Sequence, residues 1–73
     1  MTILLHQRDP ARNRQRFYAL DIERNLFGEW SLSRRWGRIG THGQQRLDWH
    51  ETEEEAEAAL QRKLKKKQRR GYR

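Results

Sequence analysis

The chain has 73 residues, 17 of them Lys or Arg against 10 Asp or Glu, a formal net charge of +7, and no cysteine. That length holds one small domain and excludes a deep catalytic cleft beside a separate binding domain. The absence of cysteine excludes a disulfide framework, a thiolate nucleophile and a thiolate zinc site, and the excess of base directs attention to an anionic partner, nucleic acid first.

The opening Met1-Thr2-Ile3-Leu4-Leu5-His6 is too short in apolar residues for a signal peptide or a membrane span. We therefore read the chain as a single domain over residues 1–73, cytoplasmic, away from membranes and monomeric. Within it, Thr2 to Gln7 reads as a strand, because Ile3-Leu4-Leu5 is a compact apolar run too short for a helix. Asp9-Pro10 breaks the strand, and Ala11 to Gln15 reads as a polar, arginine-rich loop.

A second strand is expected from Arg16 to Glu23. Tyr18, Leu20 and Ile22 lie on one face and Ala19, Asp21 and Glu23 on the other. Arg24-Asn25-Leu26-Phe27-Gly28 is the turn, with Asn25 and Gly28 able to take positive φ. The third strand, Glu29 to Arg38, places Trp30, Leu32, Arg34 and Trp36 on one face and Ser31, Ser33, Arg35 and Gly37 on the other. Trp30 and Leu32 face a core; Trp36 comes at the strand's end, where a core gives way to its rim. A bulge near Gly37 would re-aim Arg38 and Ile39. Gly40-Thr41-His42-Gly43 is a tight connection, and a fourth strand runs from Gln44 to about His50, with Leu47 and Trp49 opposite Arg46, Asp48 and His50.

Thr52-Glu53-Glu54-Glu55 fits a capping box that opens a helix. Ala56, Ala59, Leu60 and Leu64 form a narrow apolar stripe, and the helix is expected to end near Arg69 or Arg70, with Gly71 closing it. Acids crowd its first turn, and Arg62-Lys63, Lys65-Lys66-Lys67 and Arg69-Arg70 crowd its end. Two readings of that run stand side by side: complementation of the helix dipole and an anion-binding surface, favoured by a length that exceeds the last turn.

The stretch Arg34-Arg35-Trp36-Gly37-Arg38-Ile39-Gly40 concentrates the chemistry. Guanidinium groups grip phosphate with two parallel bonds, an exposed indole stacks on a base or sugar, and glycine lets a ligand approach the backbone. The residues alone leave open whether Trp36 is such a surface or a core side chain. His6, His42 and His50 are scattered without ligand spacing, so no metal site is expected. Asp21 and Asp48 are not marked as an acid–base pair, and no phosphate-loop or dinucleotide fingerprint is present. The expectation is a protein that is not an enzyme and uses no cofactor.

The chain resembles the WGR domain family, whose name is the tripeptide Trp36-Gly37-Arg38. The wider pattern is Arg16-Phe17-Tyr18, Trp30, Arg35-Trp36-Gly37-Arg38-Ile39-Gly40, Gly43-Gln44, and a helix ending in Lys63-Leu64 and Lys67, with Tyr72 close behind. It covers about Arg14 to Tyr72 and is most similar to short, free-standing bacterial members. The resemblance implies an α+β fold: a small antiparallel β-sheet of about four strands with one C-terminal α-helix packed across it. In the WGR domains of DNA-damage-sensing poly(ADP-ribose) polymerases, the motif tryptophan lies against the terminal sugar of a DNA break and basic residues hold phosphates. Carried over, Trp36, Gly37, Arg38, Arg16, Arg35, Arg14 and Lys67 are the expected nucleic-acid-binding residues, with DNA favoured. No counterpart of those polymerases' catalytic domain is expected within these 73 residues. The alternative is an adaptor that docks on an acidic or phosphorylated protein partner.

Overall fold

The computed structural model describes residues 2–73; Met1, counted above in the N-terminal apolar segment, lies outside the described residues. The order of elements is β1 (Thr2–Asp9), a 3-10 turn (Pro10–Arg12), β2 (Arg14–Arg24), β3 (Trp30–Arg38), β4 (Gln44–His50) and α1 (Glu53–Arg69). The strands form one antiparallel sheet in the order β1-β2-β3-β4. Helix α1 packs across one face of it, over β2, β3 and β4. This is the α+β arrangement expected.

Strand alternation decides which side chains meet the helix. Ile3 and Leu5 of β1, Tyr18, Leu20 and Ile22 of β2, and Leu32 and Trp36 of β3 share the helix side by their register. There they meet Ala59, Leu60 and Leu64. Leu20 and Leu32 lie at the centre with no exposed surface, and burying such side chains stabilises the fold by about 1.5–3 kcal/mol each. Ala56 and Ala59 are buried too, so the helix sits close to the sheet because its contact residues are small.

The first connection differs from the expected loop over Ala11 to Gln15. Pro10 opens a 3-10 turn, where a missing N–H costs nothing. The turn closes with Asn13 N–H on the Pro10 carbonyl at 3.1 Å, and Asn13 adopts the left-handed region at φ 54°. The chain reverses early enough for Arg14 and Gln15 to join β2 opposite Asp9 and Arg8. No bulge occurs at Gly37 either. Phe17 pairs with Gly37 and Arg16 with Arg38 in unbroken register, so Arg38 keeps the orientation that simple alternation gives it.

In the β2–β3 turn, Gly28 takes φ 82°. Asn25 does not use positive φ; its side-chain Oδ1 accepts from Phe27 N–H and Glu29 N–H, both at 2.9 Å. Gly43 has φ 68° and is crowded: a Cβ there would overlap the Trp36 carbonyl oxygen and lie 3.0 Å from Phe17 Cζ. The β3–β4 turn therefore lies flat against the end of the sheet.

Thr52 caps the helix, its hydroxyl accepting from Glu55 N–H at 3.1 Å. Glu55 reaches back to Glu51 N–H at 3.3 Å, one residue before the cap. At the other end Gly71, at φ 93°, lets Tyr72 N–H bond the Lys67 carbonyl and Gly71 N–H the Gln68 carbonyl, both at 3.1 Å. This double bond pattern is a Schellman motif. It turns Tyr72 inward, where its ring meets Tyr18 edge-on at 6.1 Å between centroids. Arg73 then exchanges two backbone hydrogen bonds with His6, at 2.8 and 2.9 Å, and caps the outer edge of β1.

Candidate nucleic-acid interface

Trp36 sits where the core ends. It packs against the buried cluster and remains half-buried. No tryptophan is a fully buried anchor: Trp30 is half-buried under the Arg24 guanidinium, 5.8 Å from its ring, and Trp49 is exposed. A layer one helix thick, closed by alanines, has no depth for an indole, and the tryptophans are left at its margins.

Beside Trp36 the sheet and the helix part to leave a cleft of about 220 Å³, lined by Tyr18, Arg34, Trp36, Lys63, Lys66, Lys67 and Arg70. Two periodicities converge there. Arg34 and Trp36 are two apart on β3, and Tyr18 pairs directly with Trp36 across the β2–β3 ladder. Lys63, Lys66, Lys67 and Arg70 are three, four and seven apart, so they form one stripe along the helix.

The electrostatics of this cleft are one-sided. Arg34 is held by Asp48, with Nε 3.0 Å from Oδ2; the two meet as an ion pair without a well-aligned hydrogen bond. Among the described residues, the helix cations of the cleft have no acidic side chain within ion-pair distance. Lys67 Nζ instead lies over two aromatic rings, 4.6 Å from Tyr18 and 5.3 Å from Tyr72, an arrangement that the negative ring faces favour. Burial pushes its ammonium below the ordinary lysine range, and Arg70, Lys66, Arg16 and Arg34 push it the same way. Lys63 is lowered by burial and by Arg34, with Asp48 opposing. Burial raises the Tyr18 phenol, against a hydrogen bond and charge from Arg34. Neighbouring cations that depress one another are relieved when an anion enters between them.

A second groove adjoins the first. Asn13, Gln15, Arg16, Gly37, Arg38 and Tyr72 line about 300 Å³ of space at the same end of the sheet. Arg16 and Arg38 are direct cross-strand partners and both are exposed. Like charges directly opposite destabilise a ladder, and neither carries an ion pair among the described residues.

Of the residues singled out in the sequence, Trp36, Lys67, Arg16, Gly37 and Arg38 are thus brought to one end of the molecule. Arg35 is not. It points to the opposite face of the sheet, where its guanidinium covers Phe17 at 5.5 Å from the ring. Arg14 is exposed beside the first connection and lines neither groove. Sequence reasoning missed Arg34, Lys63, Lys66, Arg70 and Tyr18 as wall residues. Spacing held the signal, since Arg34 shares a strand face with Trp36 and Lys63, Lys66 and Arg70 share a helix stripe with Lys67.

Other chemistry is sparse. Among the described residues no group of three His, Asp or Glu side chains is placed to hold a metal ion, and no helix is long and apolar enough to cross a membrane.

Compared with known proteins, residues 1–73 match the family model described as WGR domain. The chain is also 49% identical over 65 residues to a protein of Sinorhizobium fredii (strain NBRC 101917 / NGR234) named "Uncharacterized protein y4dW". That similarity covers 89% of this chain but 32% of the relative, so the chain spans about a third of the relative's length. No solved structure matches it.

Proposed function

Because the chain belongs to the WGR domain family, and because cations gather beside the motif tryptophan, we propose that it is a non-enzymatic, cytoplasmic module that binds the DNA backbone, with preference for ends bearing a 5′ phosphate. The family is associated with nucleic-acid binding in poly(ADP-ribose) polymerases. The observation that carries the reading is the convergence of Arg34, Lys63, Lys66, Lys67 and Arg70 on the cleft walled by Trp36. Dipole complementation alone accounts for bases in the last helical turn; it does not account for their alignment toward one side chain of the sheet.

In this reading phosphates enter between the helix stripe and Arg34, displacing counterions. Arg16 and Arg38 hold the neighbouring phosphate, whose charge offsets their mutual repulsion. The exposed part of the Trp36 indole lies against the terminal sugar or base, which internal duplex does not offer. The contacts are to backbone, so discrimination among base sequences is low.

The test is fluorescence anisotropy with a short 5′-phosphorylated duplex and the same duplex closed by hairpins, at two salt concentrations. Tighter binding to open ends that persists at the higher salt supports the proposal. Equal binding to both, vanishing with salt, rejects end recognition and transfers the basic surface to an acidic or phosphorylated protein partner.

A further inference from the structure

Strand β4 is the last in the sheet, and among the described residues nothing pairs with the backbone of its outer edge. The opposite edge differs, because His6 of β1 is already engaged with Arg73 through both its backbone groups. Open edges of this kind pair with another chain unless blocked. β4 has no bulge, proline or lysine to block it, its two charged side chains, Arg46 and Asp48, are of opposite sign, and its open-face side chains include Leu47 and Trp49, 47% and 55% exposed.

We infer that β4 is a self-association edge, on which two copies of this chain pair antiparallel about a two-fold axis at Leu47. The register follows from the strand's own residues. Faces must match across the new ladder, so the axis falls on a residue and not between two. Centred on Arg46, two arginines oppose; centred on Asp48, two carboxylates oppose. Centred on Leu47, all seven residues of β4 are paired. Leu47 meets Leu47 of the second copy, Gln45 meets Trp49, and Arg46 meets Asp48 twice. Gln44 comes opposite His50, whose buried Nε2 has no hydrogen-bond partner among the described residues. Asp48 is already near Arg46 of its own chain, with Oδ1 3.7 Å from Nε. The two copies' Arg46 and Asp48 then alternate along the seam.

An isologous contact of this kind closes on itself, whereas joining β4 to β1 would build an open filament. The axis is perpendicular to the sheet, so both helices and both basic clefts lie on one side. Ordinary strand spacing and rise put the two Trp36 side chains roughly 25 Å apart. A single nucleic-acid backbone can then engage both clefts. The pairing itself does not depend on nucleic-acid binding. Each copy carries +7, and salt screens that overall repulsion together with the Arg46–Asp48 attraction of the seam, while it weakens contacts to phosphate.

Because the chain has no cysteine, Leu47→Cys provides a direct test. Opposed residues in an antiparallel pair have Cα atoms about 4.5–5.5 Å apart, within reach of a disulfide. Under mild oxidation Leu47→Cys should give a cross-linked dimer, and Leu26→Cys, at a fully exposed position of the β2–β3 turn, should not. Sedimentation equilibrium of the unmodified chain should rise from 9.0 kDa toward twice that value with concentration. Arg46→Asp, which sets acid against Asp48 of the second copy, should weaken association by roughly tenfold or more, and Arg46→Lys should retain it. A constant 9.0 kDa at millimolar concentration, or equal cross-linking at positions 26 and 47, overturns the inference.

Discussion

Lys67 Nζ stands 4.6 Å from the Tyr18 ring centroid, so the helix and the sheet meet through a cation on an aromatic face at the mouth of the basic cleft. The lysine is oriented before any ligand arrives, and its neighbours repel it. Lys67→Gln should therefore weaken duplex binding and reduce the slope of log K against log salt by about one. Anisotropy titrations over a salt series check this, with circular dichroism to show that the fold is kept.

The two sides of the sheet should behave differently. Lys66→Ala, in the cleft, should reduce open-end binding by roughly fivefold or more, as expected for a charge-assisted phosphate contact. Arg35→Ala, on the far side over Phe17, should alter only the generic, salt-sensitive component. If Arg35→Ala abolishes end preference while Lys66→Ala does not, the interface lies on the other face.

Trp36 has both a packing and a binding role. Trp36→Phe should keep the wall of the core and lose most of the preference for open ends. Trp36→Ala should in addition lower stability by about 1–3 kcal/mol, less than for a fully buried aromatic because part of the side chain is already outside. Urea denaturation of both variants, paired with the anisotropy assay, separates the two effects.

The pH dependence has two opposing parts. Lys63 and Lys67 have folded pKa values lowered by burial and neighbouring cations. In the window from those lowered values up to the ordinary lysine value, the unfolded chain holds more protons, so stability rises with pH there. Tyr18 is raised by burial, so its contribution is present below the ordinary tyrosine value and is lost as pH climbs through its folded pKa. Ultraviolet titration should show Tyr18 ionising above the usual tyrosine range, a feature that Tyr18→Phe removes. Calorimetry of duplex binding in that alkaline range should show proton uptake, since an anion in the cleft raises the lysines again.

Gly43 is the turn residue that backbone geometry does not allow to change. A Cβ would overlap the Trp36 carbonyl oxygen, at a backbone φ of 68°. Gly43→Ala should cost about 2–4 kcal/mol and displace Trp36. Gly40, at φ 93° with nothing within 4 Å of an added Cβ, should lose only about 1–2 kcal/mol in Gly40→Ala. Thermal denaturation of the pair distinguishes crowding from conformational preference.

Much of this architecture was legible in the residue order. The alternation through Tyr18, Leu20 and Ile22 and through Trp30, Leu32, Arg34 and Trp36 assigned the helix side of the sheet, because strand side chains alternate wherever the ladder is unbroken. Thr52 and Gly71 marked the helix ends, because capping is local chemistry. The N-terminal half of the motif region was less clear. The extension of β2 back to Arg14 depends on a turn that Pro10 and Asn13 make together, and the absence of a bulge at Gly37 depends on its pairing with Phe17.

The sequence by itself determined the strands, the helix, the basic excess and the family resemblance, because periodicity, capping residues and charge are properties of short stretches. Only the tertiary structure decided which cations face one another. Arg34 of β3 and Lys63 to Arg70 of the helix are distant along the chain and meet because the antiparallel register and the small contact residues of α1 set the helix close over Tyr18 and Trp36. Arg35 needed no such packing: strand alternation alone turned it to the other side of the sheet from Trp36.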